Sequence, residues 1–589
     1  MLSRIWERLR SHWPFALLAA LALALLLVNV GSGYLWADEG DTAVLASNIL
    51  KFGVPKAWDG VTFIDSDFGA RENEQLVMVS SPWAQYYVTA VSFLVFGQNT
   101  FAARLPFALA GWASILVTYF FVWGITTNRS AAFCASALMV CSAQFLLYAR
   151  QSRYYALSMV FTCLLLWLFL QMKSGRHCVL FAVIAILLFH VHPIGIVPVA
   201  ILGILTLTYR PFRPQRRWFW FAFPGIIVLT LPWLLIAHAG YLENALLVPS
   251  VGDFFARLIQ YLLECGSVTP LIGIAVISSI VVARGKFGRS SAPDATQKES
   301  GHLIANNDIT RAPWFLNSQE KALLLIIFAV LISYALAMAL TQRTAALWVT
   351  GVRYTAAIIP LLAIAAGLLI VKISRGKILI WLPLLLVFAF TNLAQITPWL
   401  FWADTNPDPE NKTVAPHIPE KFIDRFFATG GLLFVRDLWH SNPGTLAKSC
   451  EFLAQHAQPG DIVITNYESE PLYFHTRLPQ GMKIMRQDPI YELARRQGLP
   501  EYVFGLDHAR WVVWRFNWDD YLGITWAEVE RHFLSEGARV TEMAKLEETA
   551  WENRENIHFH RFSGDRYLSP SEKDKLPARI FRVDWPDSG

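Results

Sequence analysis

Trp36-Ala37-Asp38-Glu39-Gly40-Asp41 places three carboxylates directly after a long apolar run. That run, 14–34, can cross a bilayer as a helix, which needs about 20 apolar residues. It ends without a small-residue cleavage site, so it reads as an uncleaved first helix rather than a signal peptide. An amphipathic segment, 42–52, follows and would hold the acid cluster at the membrane face. Asp38 is therefore the candidate base, with Glu39 as a second catalytic candidate that would orient or tune it and Asp41 as a possible substrate contact.

Composition agrees with a membrane chain. Of 589 residues, 54% are hydrophobic and 16% charged, with mean hydropathy +0.37; soluble proteins carry about 25% charged residues. A net charge of +5 is too small to argue for nucleic acid. The six cysteines show no CxxC motif and no disulfide framework.

Apolar runs recur at 14–34, 101–123, 129–148, 154–172, 177–191, 193–209, 218–238, 267–283, 322–341, 353–371 and 378–397, about eleven spans. His192-Pro193 separates two of them, as a tight hairpin or a kink. Arg129, Lys173, Arg176, Arg210, Arg213, Arg216, Arg217, the 284–321 loop, Lys372, Arg375 and Lys377 fall in alternate connections. The positive-inside rule puts these and the N-terminus in the cytoplasm. It puts 34–100, 149–153, 239–266, 342–352 and everything after 398 outside. The expected domains are a polytopic α-helical membrane domain, 1–398, and a soluble α/β domain, 399–589. The first includes an outer loop, 35–100, with amphipathic helices at 42–52 and 82–96 and a polar cap between them.

In the soluble part, Asn442-Pro443 reads as a helix start. Thr525-Trp526-Ala527-Glu528 reads as a capping box closed by Gly537. Strand-like runs lie at 461–465, 510–516, 540–546, 557–562 and 578–583.

The candidate chemistry gathers on the outer side. Arg104 opens the second span, Arg150 and Arg153 flank the turn after the third, His190 and His192 end the fifth, and Arg343 and Arg353 flank another. Guanidinium forks suit phosphate, and basic pockets at a membrane face suit lipid phosphates. A single arginine at a helix end is equally a snorkelling anchor, but the outer side should be poor in arginine. The two histidines lack an obvious third ligand, so they read as interfacial hydrogen-bonding residues and possible substrate contacts; no cofactor is certain and a divalent metal is left open. No P-loop or G-x-G-x-x-G follows a strand, which argues against a nucleoside diphosphate site. These parts suit transfer to a hydroxyl: a carboxylate takes the acceptor proton and guanidinium groups stabilise a phosphate leaving group.

Four motifs carry a resemblance. They are Asp38-Glu39 followed by Ala43, Ala46, Ile49-Leu50 and Gly53; Phe96-Gly97 with Ala103-Arg104-Leu105-Pro106; Ala149-Arg150 with Arg153-Tyr154-Tyr155-Ala156-Leu157; and Arg353-Tyr354 with Pro360. Their order resembles the GT-C membrane glycosyltransferases, in the branch of the dolichyl-phosphate-mannose-protein mannosyltransferases and the bacterial aminoarabinose transferase of lipid A. The resemblance covers the membrane part. It implies a polyprenyl-phosphate-linked sugar donor and an extracytoplasmic site in a bacterial inner membrane, with the C-terminal domain in the periplasm. The acceptor would be lipid A or lipopolysaccharide, another envelope glycan, or a protein. It implies Asp38 as base, Arg353 as a phosphate contact, and Tyr154 and Tyr354 as further candidate contacts. Two departures stand out. The turn Arg150-Gln151-Ser152-Arg153 lacks the acid that relatives often carry, and Ser80-Ser81-Pro82 replaces His-Pro-Pro. The alternative readings are a transporter or flippase of lipid-linked sugars, expected to show ionisable groups at the midplane, and a non-enzymatic assembly subunit.

Overall fold

The computed structural model describes residues 2–64, 71–245, 250–269, 316–341, 349–391, 434–435, 438–439, 444–516, 523–546 and 578–586. Helices dominate up to residue 391. In order they are α1 (Leu2–Leu27), α2 (Ala37–Phe52), α3 (Ala84–Phe96), α4 (Thr100–Thr126), α5 (Arg129–Cys141), α6 (Ala143–Ala149), α7 (Tyr155–Leu170), α8 (Gly175–Val191), α9 (Ile196–Thr208), α10 (Arg213–Ala245), α11 (Val251–Val268), α12 (Ser318–Thr341), α13 (Ile359–Ile373) and α14 (Ile378–Phe390).

Side-chain capping sets many of their starts. Asn99, Asn128, Ser142 and Ser174 each accept a backbone N–H of the turn they open, satisfying donors that a helix leaves orphaned. Among the described residues, four helices are long and apolar enough to cross a membrane, or five if the bent pair α5–α6 counts as one; six more are apolar but shorter. Most of the expected span at 267–283 lies outside the described residues. The His192-Pro193 break is real. α8 ends at Val191, a 3-10 turn covers Pro193–Gly195, and α9 then begins.

α13 is almost wholly buried. It packs so closely on α5 that a Cβ at Gly367 would lie 2.6 Å from the Ala135 nitrogen. Close approach of backbones through small residues is how helices associate where no water drives them together.

Residues 35–103 and the C-terminal part share a core. Leu35, Val44, Leu45, Phe63, Met78, Tyr86 and Phe93 pack with Tyr473, Phe474, Ile484, Ile490 and Val503. The C-terminal elements are α15 (Thr445–His456), β1 (Ile462–Thr465), α16 (Ser469–Thr476), α17 (Tyr491–Arg496), β2 (Ala509–Arg515), α18 (Trp526–Ser535), β3 (Arg539–Leu546) and β4 (Ala578–Asp584). α15 starts at Thr445, behind Gly444 as its N-cap; 442–443 lies outside the described residues, as does 557–562. α18 carries the capping box of Thr525 and Glu528.

The strands form one sheet in the order β1-β2-β4-β3, with β1 and β2 parallel and the other pairs antiparallel. Side chains alternate across a strand, and central β2 is buried on both faces. Trp511 and Val513 pack with Leu446, Cys450 and Leu453 of α15, while Val512 and Trp514 pack with Val529 and Phe533 of α18.

Candidate active site

α2 begins at the acid cluster. Its N-cap is Trp36, and Asp38 and Glu39 occupy its first turn, where the helix dipole favours negative charge. The three carboxylates have different surroundings.

Glu39 is fully buried. Arg104 grips it with Nε 2.9 Å from Oε1 and Nη2 2.6 Å from Oε2. Ser152 N donates to Oε1 at 2.8 Å and Trp36 N to Oε2 at 3.4 Å. Arg104 also donates to the carbonyls of Tyr34 and Val30. This is a fork-to-fork pair with its remaining lone pairs used, and it ties α2 to α4 and to the 150–154 turn.

Asp38 meets Arg153 instead. Arg153 Nη2 lies 3.3 Å from Asp38 Oδ2, and Nη1 donates to the Asp38 carbonyl at 3.1 Å and to Thr42 Oγ1 at 3.5 Å. The Asp38 side chain is 21% exposed. Burial opposes the charge on Arg153, but the Asp38 carboxylate and nearby tyrosines outweigh it and raise its pKa.

Asp41 is buried and receives Arg71 Nη2 at 2.7 Å. Burial raises its pKa to about 6 against the pull of Arg71, and the carboxylates of Glu470 and Asp38 push the same way.

The remaining candidates sort by distance from this cluster. Arg150 turns toward α1, where Nη1 donates to the carbonyls of Leu25 and Val28, each at 2.8 Å. It caps carbonyls that the helix end leaves without partners. Tyr154 has its ring 4.3 Å from that of His192 in a stacked arrangement, and its backbone N–H donates to Gln85. His192 stacks in turn toward Tyr354 at 6.2 Å. His190 lies apart, with Nε2 3.1 Å from the Leu229 carbonyl. Arg353 is placed in the 3-10 turn Val349–Ile358 next to Tyr354, with its side chain outside the described residues; Arg343 lies outside them altogether. Among the described residues no three His, Cys, Asp or Glu side chains gather to hold a metal.

Sequence reasoning missed Arg71, the Ser152 N–H and the C-terminal contributors Glu470 and Lys483. Arg71 was findable, since it lies in the 34–100 segment expected to face outward, where arginine should be rare. The Ser152 N–H carries no sequence signal, and Glu470 and Lys483 become relevant only through tertiary packing.

This bundle, the helix that carries Asp38 and the carboxylate–arginine cluster define a largely helical protein with several helices apolar enough to cross a membrane, and its fold is shared with the solved structures of ArnT. The structure of ArnT from Cupriavidus metallidurans bound to undecaprenyl phosphate matches 87% of this chain and 95% of its own, with TM-score 0.50 at 16% identity. The apo structure of the same protein matches 87% and 94%, with TM-score 0.53 at 16% identity. In sequence, the chain is 29% identical over 166 residues to the Bacillus subtilis protein described as "Putative mannosyltransferase YkcB". That match spans 26% of this chain and 22% of the relative's length. No family profile matches.

Proposed function

We propose that this protein is a glycosyltransferase that moves a sugar from a polyprenyl-phosphate donor to a hydroxyl of an envelope acceptor. It works on the periplasmic face of a bacterial inner membrane. The acceptor is lipid A or lipopolysaccharide, another envelope glycan, or a protein. About eleven spans carry the chain, with the N-terminus cytoplasmic and the C-terminal α/β domain outside. The observation that carries this reading is the Asp38–Arg153 pair. A half-open carboxylate and a cation sit together at the N-terminus of an outer-loop helix, in a fold shared with ArnT.

Asp38 takes the proton of the acceptor hydroxyl, whose oxygen attacks the anomeric carbon from the face opposite the phosphate. The bond to the phosphate oxygen breaks with inversion, and the lipid phosphate leaves as an anion. Arg153, with Arg353, stabilises that charge. In the structure Arg153 is held by Asp38. A donor phosphate arriving at the guanidinium competes with the Asp38 carboxylate for it. His192, Tyr154 and Tyr354 form a stacked wall of rings, suited to the apolar face of a sugar ring. Arg104 and Arg150 serve this machinery by holding Glu39 and α1.

The test is transfer from a panel of undecaprenyl-phosphate sugars by the full-length protein in lipid vesicles. Wild type transfers, and Asp38→Asn loses about 10²–10⁴ in rate while still binding undecaprenyl phosphate. Full activity in the variant removes Asp38 from the role.

A further inference from the structure

Three observations show how tightly the C-terminal domain is seated on the Asp38 helix. First, α16 lies on α2 with almost no gap: a Cβ at Gly40 would lie 2.4 Å from both the nitrogen and Cδ of Pro471. Gly40 is the residue between Glu39 and Asp41, so the closest point falls inside the acid cluster. No other residue type fits there without moving one of the two helices. Second, polar contacts cross the same seam. Leu35 N donates to His475 Nε2 at 3.1 Å, the Tyr473 hydroxyl donates to Asp59, and Arg477 donates to Gln98 at 3.0 Å. Third, the segment leading into α16 is over-determined. Glu468 sits in the left-handed region at φ 59°, a conformation costly for a residue with a side chain. The Arg515 guanidinium holds its carboxylate at 2.7 Å, both groups buried. Asn466 exchanges two hydrogen bonds of 2.9 Å with the Arg515 backbone. The end of β2 thus aims α16, and Lys483 fixes its first turn by donating to both Ser469 and Glu470.

We propose that the C-terminal domain is a working part of the active site, with Pro471 and Lys483 as positioning residues that hold the Asp38 end of α2 in its working geometry. This rests on the reading of Asp38 as the base. The domain then does more than select an acceptor, because its sheet, through Arg515, Glu468 and α16, braces the helix that carries the base. A base misplaced by about 1 Å can lose about 10²-fold in rate, so a brace this close has leverage on kcat.

The experiment uses the full-length protein in lipid nanodiscs, with two readouts: amide hydrogen exchange of residues 37–48, and the kinetics of transfer from an undecaprenyl-phosphate sugar. Gly40→Ala forces the helices apart and Pro471→Gly removes the wedge. Both are expected to speed exchange across 37–48 by about tenfold. Both should lower kcat by about tenfold or more with KM changed less than about threefold, the pattern of lost transition-state positioning. Lys483→Met leaves the wedge in place and loosens only the first turn of α16, so it covers the case in which Gly40→Ala fails to fold. It should give the same pattern more weakly, with partial rescue in Lys483→Arg. Unchanged exchange in Pro471→Gly and Lys483→Met overturns the proposal, as does faster exchange with unaltered kcat. If wild type transfers no sugar, the reading of Asp38 falls, while the exchange data still decide whether the domain braces the helix.

Discussion

Asp38 and Glu39 are consecutive residues on one helical turn, yet Glu39 is fully buried with four donors on it. Asp38 is 21% exposed and faces a guanidinium at 3.3 Å. The same contrast separates the arginines. Arg104 and Arg150 are spent on backbone carbonyls and on Glu39, tying α4, α1 and α2 together. Arg153 is held more loosely and keeps a buried Nε with no hydrogen-bond partner. A buried ion pair with every lone pair used is scaffold, because breaking it strands a charge in a low dielectric. A pair with a long contact and spare donors can be exchanged for a ligand. The cluster thus holds one pair fully enclosed by donors and one with a longer contact and a spare Arg153 donor.

The comparison breaks first at Asp38. Asp38→Asn should cost about 10²–10⁴ in transfer rate with little change in thermal stability. Glu39→Gln should do the reverse and destabilise the protein by about 3–5 kcal/mol, because Arg104 loses its counter-charge. Thermal unfolding in nanodiscs measures this, and a stable but inactive Glu39→Gln would mean that the two acids share the chemistry. Next in size is Arg150→Met. It uncaps the Leu25 and Val28 carbonyls and should cost about 1–3 kcal/mol of stability. Undecaprenyl phosphate binding should stay unchanged; weaker binding would make Arg150 a phosphate contact as well as a cap.

Sequence carried the fold further than the site. Apolar runs, the capping box of Thr525 and Glu528, and β-branched strands are local signals, and the described elements they announced formed close to where expected. Helices α5 and α6 escaped that reading, since 129–148 looks like one run and is bent at Ser142. The sequence reading singled out the acids and the arginines because charge beside a membrane span is expensive and therefore conspicuous, and the structure brings Asp38 to Arg153 and Glu39 to Arg104. How the arginines divide between scaffold and ligand was not legible. That division depends on which carbonyls and carboxylates the packing brings within hydrogen-bond reach. Gly40 shows the limit most plainly. Within Asp38-Glu39-Gly40-Asp41 it looks like an ordinary small residue, and its reason is a proline 431 positions later.

The smallest expected effect sharpens the comparison at the seam between α2 and α16, where two buried groups titrate in opposite senses. Asp41 is raised from 3.8 to about 6 by burial, with Arg71 opposing and Glu470 and Asp38 assisting. Folded protein therefore binds this proton more tightly than unfolded chain, so its contribution to stability is present at low pH and lost as pH rises from about 4 to about 6. His475 is lowered from 6.5 to about 4 by burial and by Arg104 and Arg477, against Glu39. Here the unfolded chain binds the proton more tightly, so stability is lost as pH falls from about 6.5 to about 4. In wild type the two slopes oppose each other over this window. His475→Gln removes one of them, and relative to wild type the protein should gain stability as the medium is acidified. Asp41→Asn removes the other and should make acidification more damaging. Melting temperatures of the three proteins between about pH 4 and about pH 6.5 check the signs. If both variants shift the profile in the same direction, the two groups are not buried at one seam, and the close seating of α16 on α2 is wrong in detail.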